Sequence, residues 1–213
     1  MNRIHPRKFI IATHLIGLLC FLFACTKNDS TTLILLGTES YVEDILNTIP
    51  DTLRETFEQQ FGEIPQGHVP PKIEGDYMVA PKQRCFSNLP IWPLDVVEPN
   101  MSLHFTNQHN RVVEINLTEA LEMFTDTVYI TGYDNYFTVY YQEYKSLNIE
   151  GAEEAILKRG IIIKGEMSEE GIKNLYFANI IMDVQGVVTD ELVTPGQFYI
   201  YRDGDGLARK ENE

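Results

Sequence analysis

The residues best able to do chemistry are few. Of the five histidines, His5 and His14 fall within the first 24 residues, which leaves His68, His104 and His109. His104 sits on the polar side of an alternating stretch, and His109 lies in the turn that follows. A hairpin could bring these two together, but no cysteine or carboxylate stands beside them at zinc-like spacing, so no metal site is expected. A Ser-His-Asp set is assembled in space rather than in sequence, but the Gly-x-Ser-x-Gly turn that often announces one is missing. Asp203-Gly204-Asp205-Gly206 begins like a calcium loop. Loop position 5, which must supply a ligand, is Leu207, so a turn or a frayed tail is the expectation. No catalytic residue, metal or cofactor is expected, and the chain reads as non-enzymatic.

Cysteine chemistry points elsewhere. Arg3, Arg7 and Lys8 precede an apolar run from Phe9 to Phe23, which polar Thr26-Lys27-Asn28-Asp29 stops short of a membrane-spanning length. The run ends at Leu22-Phe23-Ala24-Cys25, which resembles the lipobox of bacterial lipoproteins. The resemblance implies that residues 1–24 are a signal peptide and that the Cys25 thiol takes a diacylglyceryl group. Further acyl chains, palmitate among them, would then follow. Each buried methylene adds about 0.8 kcal/mol of membrane affinity, so several chains anchor stably. Lys27 followed by Asp29 resembles the surface-export signal of some Gram-negative lipoproteins. Residues 25–38 are expected to be a lipidated tether. Cys20 would leave with the signal, and Cys85 would remain alone beside Phe86 as a small buried hydrophobe.

The formal charge is −14 at pH 7, and losing the three N-terminal basic residues would make it more negative. Nucleic-acid binding is not expected, because phosphate neutralisation needs clustered Lys and Arg. Anionic headgroups would also repel the domain, so the only membrane partner expected is the bilayer that holds the lipid.

The elements that would position any site follow from periodicity. Residues 39–62 read as helical. Tyr41, Ile45 and Leu46 recur at helical spacing, Pro50 and Asp51 give a start signal, Leu53, Phe57 and Phe61 form one face, and Gly62 is a C-terminal cap. Residues 63–72 form a Pro-rich extended linker. Residues 73–206 alternate with period two, which predicts about eight antiparallel strands joined by short turns, with 207–213 as a tail. Residues 85–100, holding Pro90, Pro93 and Pro99 around Trp92, are predicted to cross irregularly. The expectation is a mainly β fold, an eight-stranded antiparallel meander barrel; the alternative is a β-sandwich.

The order of helix, Pro70-Pro71-Lys72-Ile73-Glu74-Gly75-Asp76-Tyr77, meander and Asp-Gly-Asp-Gly resembles a group of lipoproteins from Gram-negative gut anaerobes. It implies a cell-envelope location, in the outer membrane on its periplasmic or outer face. Gly75-Asp76-Tyr77 resembles the Gly-x-Trp opening of lipocalins, in which the aromatic residue plugs the closed end of an eight-stranded barrel. Asp29-Ser30-Thr31, Asp51-Thr52-Leu53 and Asp126-Thr127-Val128 resemble the O-glycosylation signal of the same bacterial group, which implies Ser30, Thr52 and Thr127 as sites. Asp51-Thr52 also reads as a helix cap.

The strands are rich in aromatic residues, and 136–141 and 161–163 are apolar on both faces. One face would fill the lumen. The other needs cover from the helices or forms a binding surface. Tyr77, Trp92, Tyr136, Tyr140 and Tyr176 are the candidate ligand-binding residues. The expected function is that of a lipid-anchored envelope protein holding a small apolar or aromatic ligand in a barrel cavity. The alternative is a protein- or glycan-interaction module at the cell surface.

Overall fold

The computed structural model describes residues 44–89, 93–147, 155–186 and 193–211. The N-terminal segment with Cys25 and Ser30, and also Trp92, lie outside the described residues. A helical turn at 44–48 leads to helix α1, Asp51–Phe61. Proline cannot continue a helix but suits its start, and α1 begins directly after Pro50. No side chain caps its N-terminus, so Asp51 and Thr52 do not form the expected cap. Asp51 instead stands 3.9 Å from Arg54. Gly62 ends the helix at a φ of 76°, where its N–H donates to the Glu58 carbonyl at 2.8 Å. That φ favours a residue without a β-carbon.

All the described strands belong to one antiparallel sheet, not to the two packed sheets of a sandwich. They are β1 (Gly75–Val79), β2 (Lys82–Ser87), β3 (Val97–Glu98), β4 (Met101–His109), β5 (Val112–Glu119) and β6 (Glu122–Tyr133). They continue as β7 (Tyr136–Leu147), β8 (Ala155–Ser168), β9 (Gly171–Gln185), β10 (Phe198–Asp203) and β11 (Leu207–Lys210). Eight of them pair in a closed ring, β1-β4-β5-β6-β7-β8-β9-β11, because β11 pairs with both β9 and β1. Closure removes the free edges on which strands of other chains add.

The remaining three strands extend ring strands past local breaks. Beyond Ala80-Pro81, β2 prolongs β1; across Pro99-Asn100, β3 leads into β4; across residues 204–206, β10 leads into β11. Proline lacks the N–H that a ladder needs. The first and last breaks lie side by side and bond to each other. Ala80 N–H donates to Asp203 Oδ2 at 3.1 Å, and Gly204 N–H donates to the Pro81 carbonyl at 2.7 Å. Asp203 Oδ1 also accepts from the N–H groups of Asp205 and Leu207, at 3.1 and 3.2 Å. Burial and the neighbouring Asp205 push the Asp203 carboxyl up to about 6.

These features correct two expectations. Asp-Gly-Asp-Gly is an internal turn, and residues 207–210 of the expected tail form the strand that closes the ring. The predicted crossing at 85–100 contains strand at both ends, the last residues of β2 and all of β3. Residues 118–126 are a hairpin around Ala120-Leu121, hidden because Ala120, without turn chemistry, adopts a φ of 51°.

The two ends of the ring differ. Asn110-Arg111, Asp134-Asn135 and Glu169-Glu170 turn tightly at one end, with Asn110 and Asp134 at φ values of 55° and 50°. Short polar side chains tolerate that region best. At the other end, among the described residues, only Ala120-Leu121 turns tightly, and the remaining connections are residues 88–96, 148–154 and 186–197.

The ring encloses the larger of two hydrophobic clusters. Tyr77, Leu103, Phe105, Ile115, Ile130, Phe137, Val139, Ile161 and Ile163 are buried there with residues from every ring strand. The second cluster lies on the outer face of β6 to β10. It joins Ile45, Ile49, Phe57 and Phe61 to Tyr129, Tyr140, Ile162, Ala178, Ile180, Phe198 and Ile200. Phe57 packs on Phe61 and against the edge of Phe198, both with ring centres at 5.1 Å. Burying one such side chain contributes about 1.5–3 kcal/mol. The helical segment is the cover that the doubly apolar strands require.

Candidate functional site

The linker that follows α1 is not free. Residues 63–72 run along the outer face as a strap. Thr131 Oγ1 donates to the Pro65 carbonyl at 2.8 Å, and Gly132 N–H donates to the Gly67 carbonyl at 3.1 Å. At its end, Gln108 Nε2 donates to the Pro71 carbonyl and Gln108 Oε1 accepts from Ile73 N–H, both at 2.8 Å. A β-carbon on Gly67 would stand 2.0 Å from the Gly132 carbonyl oxygen, so the crossing admits only glycine.

Between this strap and the tight-turn end of the ring lies a cleft of about 360 Å³. The strap supplies Glu63 and Pro65, the β6–β7 hairpin Tyr133 and Tyr136, β8 Lys164, Gly165 and Glu166, and β9 Asn174 and Tyr176. Tyr133 and Tyr136 flank the Asp134-Asn135 turn, and their rings lie 5.7 Å apart at 46°. Each is 41% exposed. Gly165 presents only backbone, because its missing side chain would point inward to within 2.4 Å of Ile172. Between Lys164 and Glu166 the pairing with β9 shifts register, and Asn174 sits at that bulge with a φ of 49°. Bulges re-aim side chains.

Lys164 is the cleft's cation. Its Nζ donates to the Glu63 carbonyl at 2.7 Å and stands 4.7 and 5.6 Å from the ring centres of Phe61 and Tyr176. Burial lowers its pKa to about 8, against the opposing pull of Glu63. The cleft thus combines half-exposed aromatic faces with an amide, carboxylates and an amine already engaged by the strap.

A second cleft of about 390 Å³ runs between α1 and the strap, lined by Leu46, Ile49, Phe57, Arg54 and Ile64 among others. Inside the ring, towards the end with the long connections, charges are paired. Lys82 bonds Glu119, Arg84 bonds Glu98, and Arg159 bonds Glu143. Arg159 Nη1 also donates to the Tyr199 hydroxyl at 2.8 Å, and Lys82 lies 4.3 Å from the Tyr201 ring centre. Burial lowers the Lys82 pKa, with Glu119 opposing it. Breaking such a pair strands a desolvated charge, which costs more than the pair contributes.

The predicted candidates separate. Tyr136 and Tyr176 meet in the outer cleft. Tyr77 is buried inside the ring near Phe105, its hydroxyl donating to the Ile73 carbonyl at 3.1 Å. Tyr140 is buried in the outer cluster, where burial pushes its pKa up to about 12. His104 bonds Asp76 on the exposed outer face of β1 and β4, and Ser102 turns to Met78 rather than to His104. Exposed His68 bridges to Gly132, and His109 ends β4. Among the described residues no group of three His, Cys, Asp or Glu side chains could hold a metal ion. Cys85 packs against the outer cluster, and burial pushes its thiol pKa up. Thr52 and Thr127 are exposed on α1 and β6. Sequence reasoning missed Tyr133, Lys164 and Asn174. Tyr133 carries a signal of parity, since alternation along β6 puts it on the same face as Tyr129 and Thr131. The contribution of Glu63 and Pro65 carries none.

Compared with known proteins, the chain matches no family model, no curated protein and no solved structure. No helix among the described residues is long and apolar enough to cross a membrane.

Proposed function

We propose that this chain is a lipid-anchored, non-enzymatic binding module of the cell envelope, held by Cys25 and recognising its ligand through the outer cleft. The observation that carries the reading is that the half-exposed pair Tyr133 and Tyr136 meets Tyr176 in one cleft, whereas exposed Tyr144 lines neither cleft and Tyr77, Tyr129, Tyr140 and Tyr141 are buried. Ligand sites are concave, with aromatic lining and a few placed polar groups, and the cleft has that composition. The eight-stranded ring is read as a lipocalin-like barrel that serves as scaffold. A ligand inside it, the other reading of the aromatic strands, would have to displace Tyr77, Phe105 and Phe137, which pack together there. A group of lipoproteins from Gram-negative anaerobes remains the proposed kinship, and the outer membrane the proposed location.

Native mass spectrometry of the lipidated chain purified from its host tests this reading. Wild type is expected to retain a bound molecule that the Tyr133→Ala/Tyr136→Ala variant loses. Equal retention by both would put the ligand elsewhere.

A further inference from the structure

Resting on that reading of the cleft, we infer that its ligand is a neutral pyranose sugar, one or two rings of a glycan. Three features of the lining select this class. First, Tyr133 and Tyr136 offer adjacent half-exposed ring faces at the cleft's edge. A pyranose has a face of C–H groups, and such weak donors stack on aromatic rings. Tyrosine supplies that platform at low entropic cost, with only two side-chain torsions to fix.

Second, hydrogen-bonding groups ring the platform. Exposed Asn174 can both donate and accept, and the Glu63 and Glu166 carboxylates accept. Sugar hydroxyls, which donate and accept, match that set. A purely apolar ligand would desolvate these groups and leave them without partners, at about 1–3 kcal/mol each.

Third, charge selects against acidic ligands. Two carboxylates line the cleft, the chain carries a formal charge of −14, and the amine of Lys164 is already bonded to the Glu63 carbonyl. An anion would meet repulsion, and the one cation among the cleft's described lining residues is engaged by the strap. A cleft of about 360 Å³ is at the small end of the range for ligand sites, which suits one or two rings.

The test uses the full-length lipidated chain in a sugar-free detergent. It is titrated with neutral oligosaccharides of glucose, galactose, mannose and N-acetylglucosamine, and with oligogalacturonate as the acidic counterpart. At least one neutral glycan is expected to bind, with affinity falling tenfold or more in Tyr133→Ala/Tyr136→Ala and staying within about threefold in Tyr136→Phe, which keeps the ring face. Thermal unfolding of each variant checks that the fold persists. Binding of oligogalacturonate in preference to every neutral glycan, or of no glycan at all, overturns the inference. If the host-derived molecule then proves to be sugar-free yet Tyr133- and Tyr136-dependent, the cleft reading survives without the sugar. A ligand that the double variant holds equally well removes both.

Discussion

The outer surface of the ring is two surfaces with opposite chemistry. Over β6 to β10 it is apolar and covered, with Tyr129, Tyr140, Ile162, Ala178 and Ile180 lying beneath Phe57, Phe61, Ile45 and Ile49. Over β1, β4 and β5 it is polar and bare, carrying Asp76, His104, Glu114 and Thr118. The inner faces of the same strands are alike, apolar through the middle of the ring and carrying paired charges only towards the end with the long connections. What distinguishes the two halves is therefore whether the outward residues of each strand need cover. The cleft lies beside the strap's crossing: Pro65 and Gly67 lie against Thr131 and Gly132, and next to them Tyr133 and Tyr136 remain half exposed. The proposed binding surface thus lies at the edge of an apolar face that the chain covers with its own helix and strap.

The largest contrast should come from truncating one residue on each half. Phe57→Ala opens a cavity beneath the helix and should cost about 3–5 kcal/mol. Thr118→Ala on the bare half should stay within about 0.5 kcal/mol. Urea denaturation measures both, and equal costs would mean that α1 is not docked as described.

A smaller effect is expected at the strap. Gly67→Ala forces a β-carbon against the Gly132 carbonyl, and such overpacking typically costs about 1–3 kcal/mol. The strap should then lift locally, giving faster proteolysis within residues 63–72 and a disturbed cleft, while the bare half is unchanged. Uniform proteolysis of both halves would mean that the strap is not held separately from the bare face.

The smallest effect is a pH dependence confined to the cleft. Burial lowers the Lys164 pKa to about 8 in the folded chain, from an ordinary value of 10.5. Between those values the unfolded chain holds a proton that the folded chain has released. Stability should therefore rise with pH across that window, and the full cost of the buried charge is present below it. Comparing wild type with Lys164→Met by thermal unfolding at about pH 7 and pH 10, on either side of most of that titration, isolates the effect. Wild type should gain stability relative to the variant as pH rises, and a relative loss would contradict the assignment.

Much of this division could be read from periodicity. The alternation of Leu103, Phe105, Val113 and Ile115 with polar neighbours marks strands with one wet face. The runs Tyr136–Tyr141 and Ile161–Ile163 mark strands buried on both. Phe57 and Phe61 showed a helix that must dock. Lys82 and Arg84 hid a strand, because charged residues among prolines resemble a loop until Glu119 and Glu98 arrive across the sheet to pair with them. The closing strand at Leu207–Lys210 was hidden by Asp203-Gly204-Asp205-Gly206, whose turn chemistry marks an end although Asp203 ties the chain to Ala80 instead. The cleft was legible only in part. Tyr136 and Tyr176 could be singled out as aromatic residues on strands. Their meeting with Glu63 and Pro65 depends on a strap far away in sequence, held by Thr131 and Gly132. Local patterns carry no information on such a contact.

The most direct test of where recognition occurs is amide chemical-shift mapping of the full chain in micelles, with the molecule it retains from its host added back. Shifts are expected to cluster at residues 63–66, 133–136, 164–166 and 174–176. Shifts confined to the ring interior around Tyr77, Phe105 and Phe137 would contradict recognition at the outer cleft.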